Sequence, residues 1–162
     1  MTVKPSEYAL EPLRQDGQFT LYRDRSAGAE ARPILVLGPA SAHPGPDTLR
    51  RIDHEYSLRS ELDSEWAAQP LALSHHNGQP VLVLHDPGGE PLDRLVHGPI
   101  ETRRFLRIAI GLATALKHVH QRQLIHKDIK PSNILVDPSC DHIWLTGFGI
   151  ASCVLRERQP PR

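Results

Sequence analysis

The dipeptide Asn77-Gly78 constrains this 162-residue chain more tightly than any other pair of neighbours. Both residues accept the positive φ that a two-residue hairpin turn demands, and they stand between two apolar runs, Leu71–His75 and Val81–His85. The middle of the chain is therefore predicted to fold as an antiparallel hairpin. Upstream, Tyr8–Arg14, Gln18–Asp24 and Arg32–Leu37 are short runs of β-forming residues separated by Asp16-Gly17 and by Ser26-Ala27-Gly28, which suits a three-stranded meander. A loop from Gly38 to Pro46 leads to Asp47-Thr48, where Asp47 is placed to cap a helix with Leu49, Ile52, Tyr56 and Leu62 at helical spacing. Five strands and one helix are expected, giving an α+β domain.

Beyond the hairpin, Asp86-Pro87-Gly88-Gly89 reads as a hinge. A long helix is predicted from Ile100 to His120, with Phe105, Ile108, Leu112, Leu116 and Val119 on one stripe and Arg103, Arg104, Arg107 and Lys117 on a solvated face. Short apolar pieces follow at Leu124-Ile125, Ile134-Leu135-Val136 and Ile143-Trp144-Leu145, and they suit a small hairpin next to a loop.

Charge excludes some functions. Lys plus Arg and Asp plus Glu are both 19, so no net field draws in nucleic acid or an anionic membrane. Residues 1–18 have no apolar signal core and no stretch approaches a membrane span, so a cytoplasmic chain is expected. Cys140 and Cys153 show no ligand spacing and are read as reduced, structural thiols. His75-His76 and His118/His120 are read as structural or exposed, since side chains one apart on a strand or two apart on a helix do not converge. Trp66 and Trp144 are read as packing anchors.

The chemistry concentrates in His126-Lys127-Asp128-Ile129-Lys130-Pro131-Ser132-Asn133, followed 13 residues after Asn133 by Thr146-Gly147-Phe148-Gly149. These runs resemble the catalytic loop H-R-D-L-x-x-x-N and the D-F-G segment of protein kinases, and Asp-x-Lys-Pro-x-Asn resembles the serine/threonine type. The resemblance implies a kinase-like fold. Residues 1–85 would form the amino-terminal lobe, 86–91 the hinge with Leu84, Asp86 and Pro87 around it, and 92–162 a partial carboxyl-terminal lobe ending just after Gly-Phe-Gly. It also implies Asp128 as the base that orients a substrate hydroxyl, Lys130 beside the γ-phosphate, Asn133 on a magnesium ion, His126 and Lys127 as structural parts of the loop, and ATP with magnesium as cofactors. A narrower resemblance rests on Asp53-His54-Glu55-Tyr56, on Leu84 to Leu92 and on Leu145 to Ser152. These look like the kinase-like domain that precedes AAA, GAF and histidine kinase regions in large bacterial hybrid sensor proteins, so missing carboxyl-terminal domains or another protein would be the partner.

The kinase pattern also breaks. Gly147 stands where the metal-binding Asp is expected and has no oxygen to offer, and Leu37 stands where the phosphate-binding lysine of the third strand is expected, which leaves Glu55 of the helix without its partner. Lys4, Arg23 and Arg25 are candidates to reach inward, without support from spacing. Arg14, Asp16 and Phe19 fall on the three positions of the glycine-rich loop, where Asp16 would repel a phosphate. At the hinge one register puts the Asp86 amide where adenine is read; the next puts Pro87 there, which has no N–H. Two readings follow: a nucleotide-poor pseudokinase acting as a regulatory or interaction module, or a residually active serine/threonine kinase. A chain that stops so soon after Gly-Phe-Gly is also expected to leave the long helix's stripe short of cover and ready to recruit a partner surface.

Overall fold

The computed structural model describes residues 9–25 and 32–154. Tyr8, Lys4, the Ser26-Ala27-Gly28 turn and the segment after Val154 lie outside the described residues. Strands β1 (Leu10–Asp16), β2 (Phe19–Asp24) and β3 (Ile34–Pro39) form the expected meander, and β4 (Pro70–His76) and β5 (Gln79–His85) form the expected hairpin. They join in one five-stranded antiparallel sheet of order β1-β2-β3-β5-β4. Asn77 and Gly78 both take positive φ, 50° and 75°, the turn geometry that the dipeptide was chosen to satisfy.

Helix α1 spans Pro46–Ser57, shorter than the predicted helix to Leu62. Its N-cap is Gly45, with Pro46 opening the first turn, so Asp47 does not cap the helix but sits in its first turn, favourably for the dipole. Leu62 lies past the helix end, buried in the core by the turn that leads to Trp66. Ile52 seals one side of the sheet with Leu13, Leu21, Leu35, Leu37, Leu82 and Leu84.

After the hinge, β6 (Glu90–Pro91), β8 (Ile134–Val136) and β9 (Ile143–Leu145) make a three-stranded sheet, so the expected small hairpin carries an extra strand from the hinge itself. The short helix α2 (Leu92–Leu95) follows β6, and β7 (Leu124–Ile125) pairs with β10 (Ser152–Cys153). Helix α3 spans Thr102–Gln121, and its N-cap is Glu101, whose carboxylate accepts the N–H groups of Arg103 and Arg104.

The stripe of α3 needs correcting. Ile108, Ala115 and Val119 occupy the centre of the buried face, with Leu112 and Leu116 packed partly against the same core. Phe105 lies over the edge of that face and is 54% exposed, near Leu106 and Ile110, which are also exposed. The arginine face is not wholly solvated either: Arg104 and Arg107 both donate to the buried carboxylate of Asp141, at 3.0 and 2.9 Å. Cys153 packs against the core, but Cys140 is exposed. Trp66 is a buried anchor stacked on His118, and the Trp144 indole donates to Ser64 O. Among the described residues no helix is long and apolar enough to cross a membrane.

Candidate active-site cleft

The sheet and the loop after β7 face each other across a cleft of about 350 Å³ lined by Arg14, Leu37, Glu55, Asp128, Lys130, Asn133 and Gly147, among others. Residues 91 positions apart in the chain thus share one cavity with both halves of the predicted motif, and Asp128 and Gly147 lie on the same side of the molecule.

The floor is built by hydrogen bonds that leave few alternatives. His126 is 2% exposed; its Nδ1 accepts the Asp128 N–H at 3.1 Å, so its proton resides on Nε2, which donates to Thr146 O at 2.8 Å. Burial pushes this imidazole's pKa down and keeps it neutral. One ring thereby ties the loop carrying Asp128 to the segment carrying Gly147, and Phe148 packs on it with ring centroids 4.5 Å apart. The Asn133 amide donates to Asp128 O at 2.9 Å and to Asp128 Oδ2 at 3.0 Å, which fixes the carboxylate. Lys130 Nζ lies 3.3 Å from the same oxygen and also pairs with Asp16 from the tip of β1. The Asp16 hydrogen bond, with Asp128 in support, holds the Lys130 ammonium above its ordinary value. Lys127 is exposed with φ of 70°, a turn position outside the cleft lining. Asp128, Lys130, Asn133 and His126 are therefore brought together.

The expected repulsion by Asp16 needs correcting, since its carboxylate is engaged by Lys130. As the scarcity of glycine implies, a two-residue turn at Gly17-Gln18 closes β1 on β2, with Asp16 opposite Phe19.

Gly147 has φ of 78°, and a Cβ added there would lie 2.6 Å from the Asn133 side chain. The Asn133 amide therefore fills the space that any side chain at 147 would need. Its Oδ1 is buried without a partner. Leu37 is 4% exposed, packed in the sheet core and facing the cleft with carbon alone. These residues do not fit a magnesium ion, which is normally held by one or two carboxylates along with phosphate oxygens. The lining holds the neutral amide oxygen of Asn133 and three carboxylates, and each carboxylate is already engaged: Asp128 is shared between Asn133 and Lys130, Asp16 pairs with Lys130, and Glu55 accepts two backbone N–H groups.

The upper wall holds what the sequence reading missed. Glu55 is 2% exposed and accepts the backbone N–H groups of Phe148 and Gly147; burial outweighs these bonds and the nearby Arg14, and its pKa rises to about 7. The basic residue near it is neither Arg23 nor Arg25, but Arg14. A β-bulge between Pro12 and Arg14 shifts the register against β2, so that Leu13 and Arg14 both turn inward instead of alternating. The proline two residues earlier was the available signal, because proline inside a strand pattern marks an edge or a bulge. Arg14 is 8% exposed, its Nε has no hydrogen-bond partner, and desolvation lowers its pKa against the field of Glu55, Asp16 and Asp128.

Arg23 points to the hinge instead. Its guanidinium reaches five oxygens: both of Asp86 at 2.6 and 3.0 Å, Glu90 Oε1 at 2.9 Å, and the carbonyls of Gly88 and Gly89 at 2.7 Å each. Arg25 pairs with Glu11 at the surface. The hinge offers no free amide in either predicted register, since the Asp86 N–H is donated to Pro33 O at 3.0 Å and Pro87 has none. Leu84, assigned to the hinge, is a fully buried residue of β5 opposite Leu35.

Comparison with known proteins finds protein kinases. The family model described as "Protein kinase domain" matches residues 44–160. Serine/threonine-protein kinase PrkC of Bacillus subtilis is 32% identical over 108 residues, which is 65% of this chain and 16% of that protein. Serine/threonine-protein kinase pkn2 of Myxococcus xanthus is 26% identical over 148 residues, 90% of this chain and 18% of that protein. Mitogen-activated protein kinase HOG1A of Wallemia ichthyophaga is 30% identical over 129 residues, 79% of this chain and 34% of that protein. The chain thus spans about a third or less of the length of these relatives.

Proposed function

Because this chain belongs to the protein kinase family, we propose that it is a serine/threonine-type kinase-like domain that has lost magnesium-dependent nucleotide binding and serves as a regulatory or interaction module. The observation that carries this reading is the Asn133 amide in the space of a side chain at 147, where the metal-binding carboxylate of the motif would stand. Phosphoryl transfer depends mainly on charge neutralisation at the phosphates. Leu37 and the committed Asp86 N–H take away further contacts that a kinase makes to ATP.

In this reading the working unit is a lobe over 1–85, a hinge over 86–91 and a partial second lobe over 92–162. It operates in the cytoplasm, inside a bacterial multidomain signalling protein of the hybrid sensor type. Its partners are other domains of that longer chain or a separate protein, and exposed Phe105, Leu106 and Ile110 are available for the contact. Neither nucleic acid nor membrane is a partner.

One observation favours the second reading, a residual kinase using ATP and magnesium. Asp128, Lys130 and Asn133 are fully assembled, with the Asp128 carboxylate held by the other two. Thermal melting with millimolar ATP, with and without magnesium, separates the two. No magnesium-dependent rise in Tm is expected, and a clear one overturns the proposal. Transfer of labelled phosphate that disappears in Asp128→Asn would establish the residual kinase.

A further inference from the structure

We propose that the cleft binds a phosphorylated anion without magnesium and without reading a nucleobase, using Arg14 as its anchor. This rests on the reading of the cleft as unable to hold magnesium. Arg14 is a buried residue, 8% exposed, that lines the cleft. Among the described residues its Nε has no hydrogen-bond partner. A buried charge in that condition is costly, and what relieves it is an acceptor in the cavity that it faces. The charges around it are distributed so that this demand stays open. Lys130 engages Asp16 and Asp128, and Glu55 is satisfied by two backbone N–H groups. Each nearby carboxylate therefore has partners of its own, and none hydrogen-bonds Arg14.

Size and chemistry narrow the occupant. A cleft of about 350 Å³ admits a phosphate chain. A planar guanidinium pairs bidentately with phosphate, and Lys130, which bridges Asp16 and Asp128, is a second cation within the same lining. Arg51 also lines the cleft. The hinge, by contrast, has no amide to spend on a base in either predicted register, with the Asp86 N–H already donated and Pro87 lacking one, and the Gly88 N–H is given to Asp86 Oδ1. Phosphate contacts without base contacts make the site indifferent to which nucleoside, if any, is attached.

The test uses sodium tripolyphosphate, ATP and GTP on this chain in EDTA and again in magnesium. All three are expected to raise Tm in EDTA, by roughly 5–10 °C at 100 times Kd, with ATP and GTP within twofold in Kd and no gain from magnesium. Arg14→Met is expected to weaken binding at least tenfold, while Arg25→Met, on the surface, leaves it unchanged. In case Arg14→Met does not fold, the Arg14 Nε–H resonance of the unaltered chain provides the same answer: it moves on titration with tripolyphosphate, and that of fully engaged Arg23 does not. No binding of any probe in EDTA or in magnesium overturns this inference and leaves the loss of magnesium binding intact. Binding of ATP alone, and only with magnesium, overturns both. Binding that survives Arg14→Met, or a motionless Arg14 resonance at saturation, overturns the role of Arg14.

Discussion

Two arginines nine residues apart, both 8% exposed, show opposite solutions to the burial of a cation. At the hinge, Arg23 is surrounded by five oxygens, three of them from the carboxylates of Asp86 and Glu90. In the cleft, Arg14 faces a cavity with its Nε unmet. A satisfied buried charge holds structure together, whereas an unsatisfied one is stability given up where a ligand can return it. The first corner is a clamp that joins the sheet to the hinge. The second is a site.

The largest effect should come from breaking the clamp. Arg23→Met leaves the buried Asp86 carboxylate with the Gly88 N–H alone and takes the donor from the Gly88 and Gly89 carbonyls, and should cost about 3–5 kcal/mol in denaturant unfolding. A loss below about 1 kcal/mol would show the hinge corner to be adequately held by the backbone.

Glu55 sharpens the contrast from the other side of the cleft. Its folded-state pKa of about 7 stands above the ordinary value of 4.5. Between those values the folded chain keeps a proton that the unfolded chain has released, so this group's contribution falls as pH climbs from about 4.5 to 7 and stays low above that. The loss amounts to about 3 kcal/mol. His126 works in the opposite direction, because its buried ring refuses a proton that the unfolded chain accepts near 6.5, and it lowers stability as pH falls. Glu55→Gln should remove only the first slope. The difference in stability between variant and parent should therefore move in the variant's favour from pH 5 to pH 8, and a constant difference would refute the assignment.

Gly147→Asp restores the family's residue on paper. Here it should destabilise by about 1–3 kcal/mol and bring no magnesium-dependent shift in Tm, because its Cβ meets Asn133 and its φ of 78° disfavours a side chain. Recovery of magnesium binding in that variant would show that Asn133 yields easily. The smallest effect is expected at Arg14→Met. Without ligand it should change stability by no more than about 1 kcal/mol, in either direction, since it removes an unpaired buried cation and leaves the carboxylates of Asp16 and Glu55 with their other partners. A loss like that of Arg23→Met would erase the contrast between the two corners.

Much of this was legible in the linear text, for identifiable reasons. Asn77-Gly78 dictated its turn because positive φ is a local property of residue type. Asp128, Lys130 and Asn133 lie within six residues, so their loop is assembled by contacts that the sequence nearly places together, and the losses at Leu37 and Gly147 follow from what carbon and hydrogen cannot ligate. The apolar spacing runs on to Leu62 although helix α1 ends at Ser57, because Leu62 is buried from a turn. Phe105 is in phase with the stripe yet exposed, because periodicity reports a phase but not where the core ends.

What the sequence determined by itself, then, is the order of strands and helices, the family-like loop and the list of absent groups. All of these depend on residue type, short spacing or local φ. The tertiary structure decided which charges meet. A single bulge turns Arg14 inward, the pairing of β2 with β3 carries Arg23 to Asp86, 63 positions away, and Asn133 settles into the space left by Gly147. Such pairings depend on register and on close packing between segments distant in sequence, and no local rule of the chain encodes them.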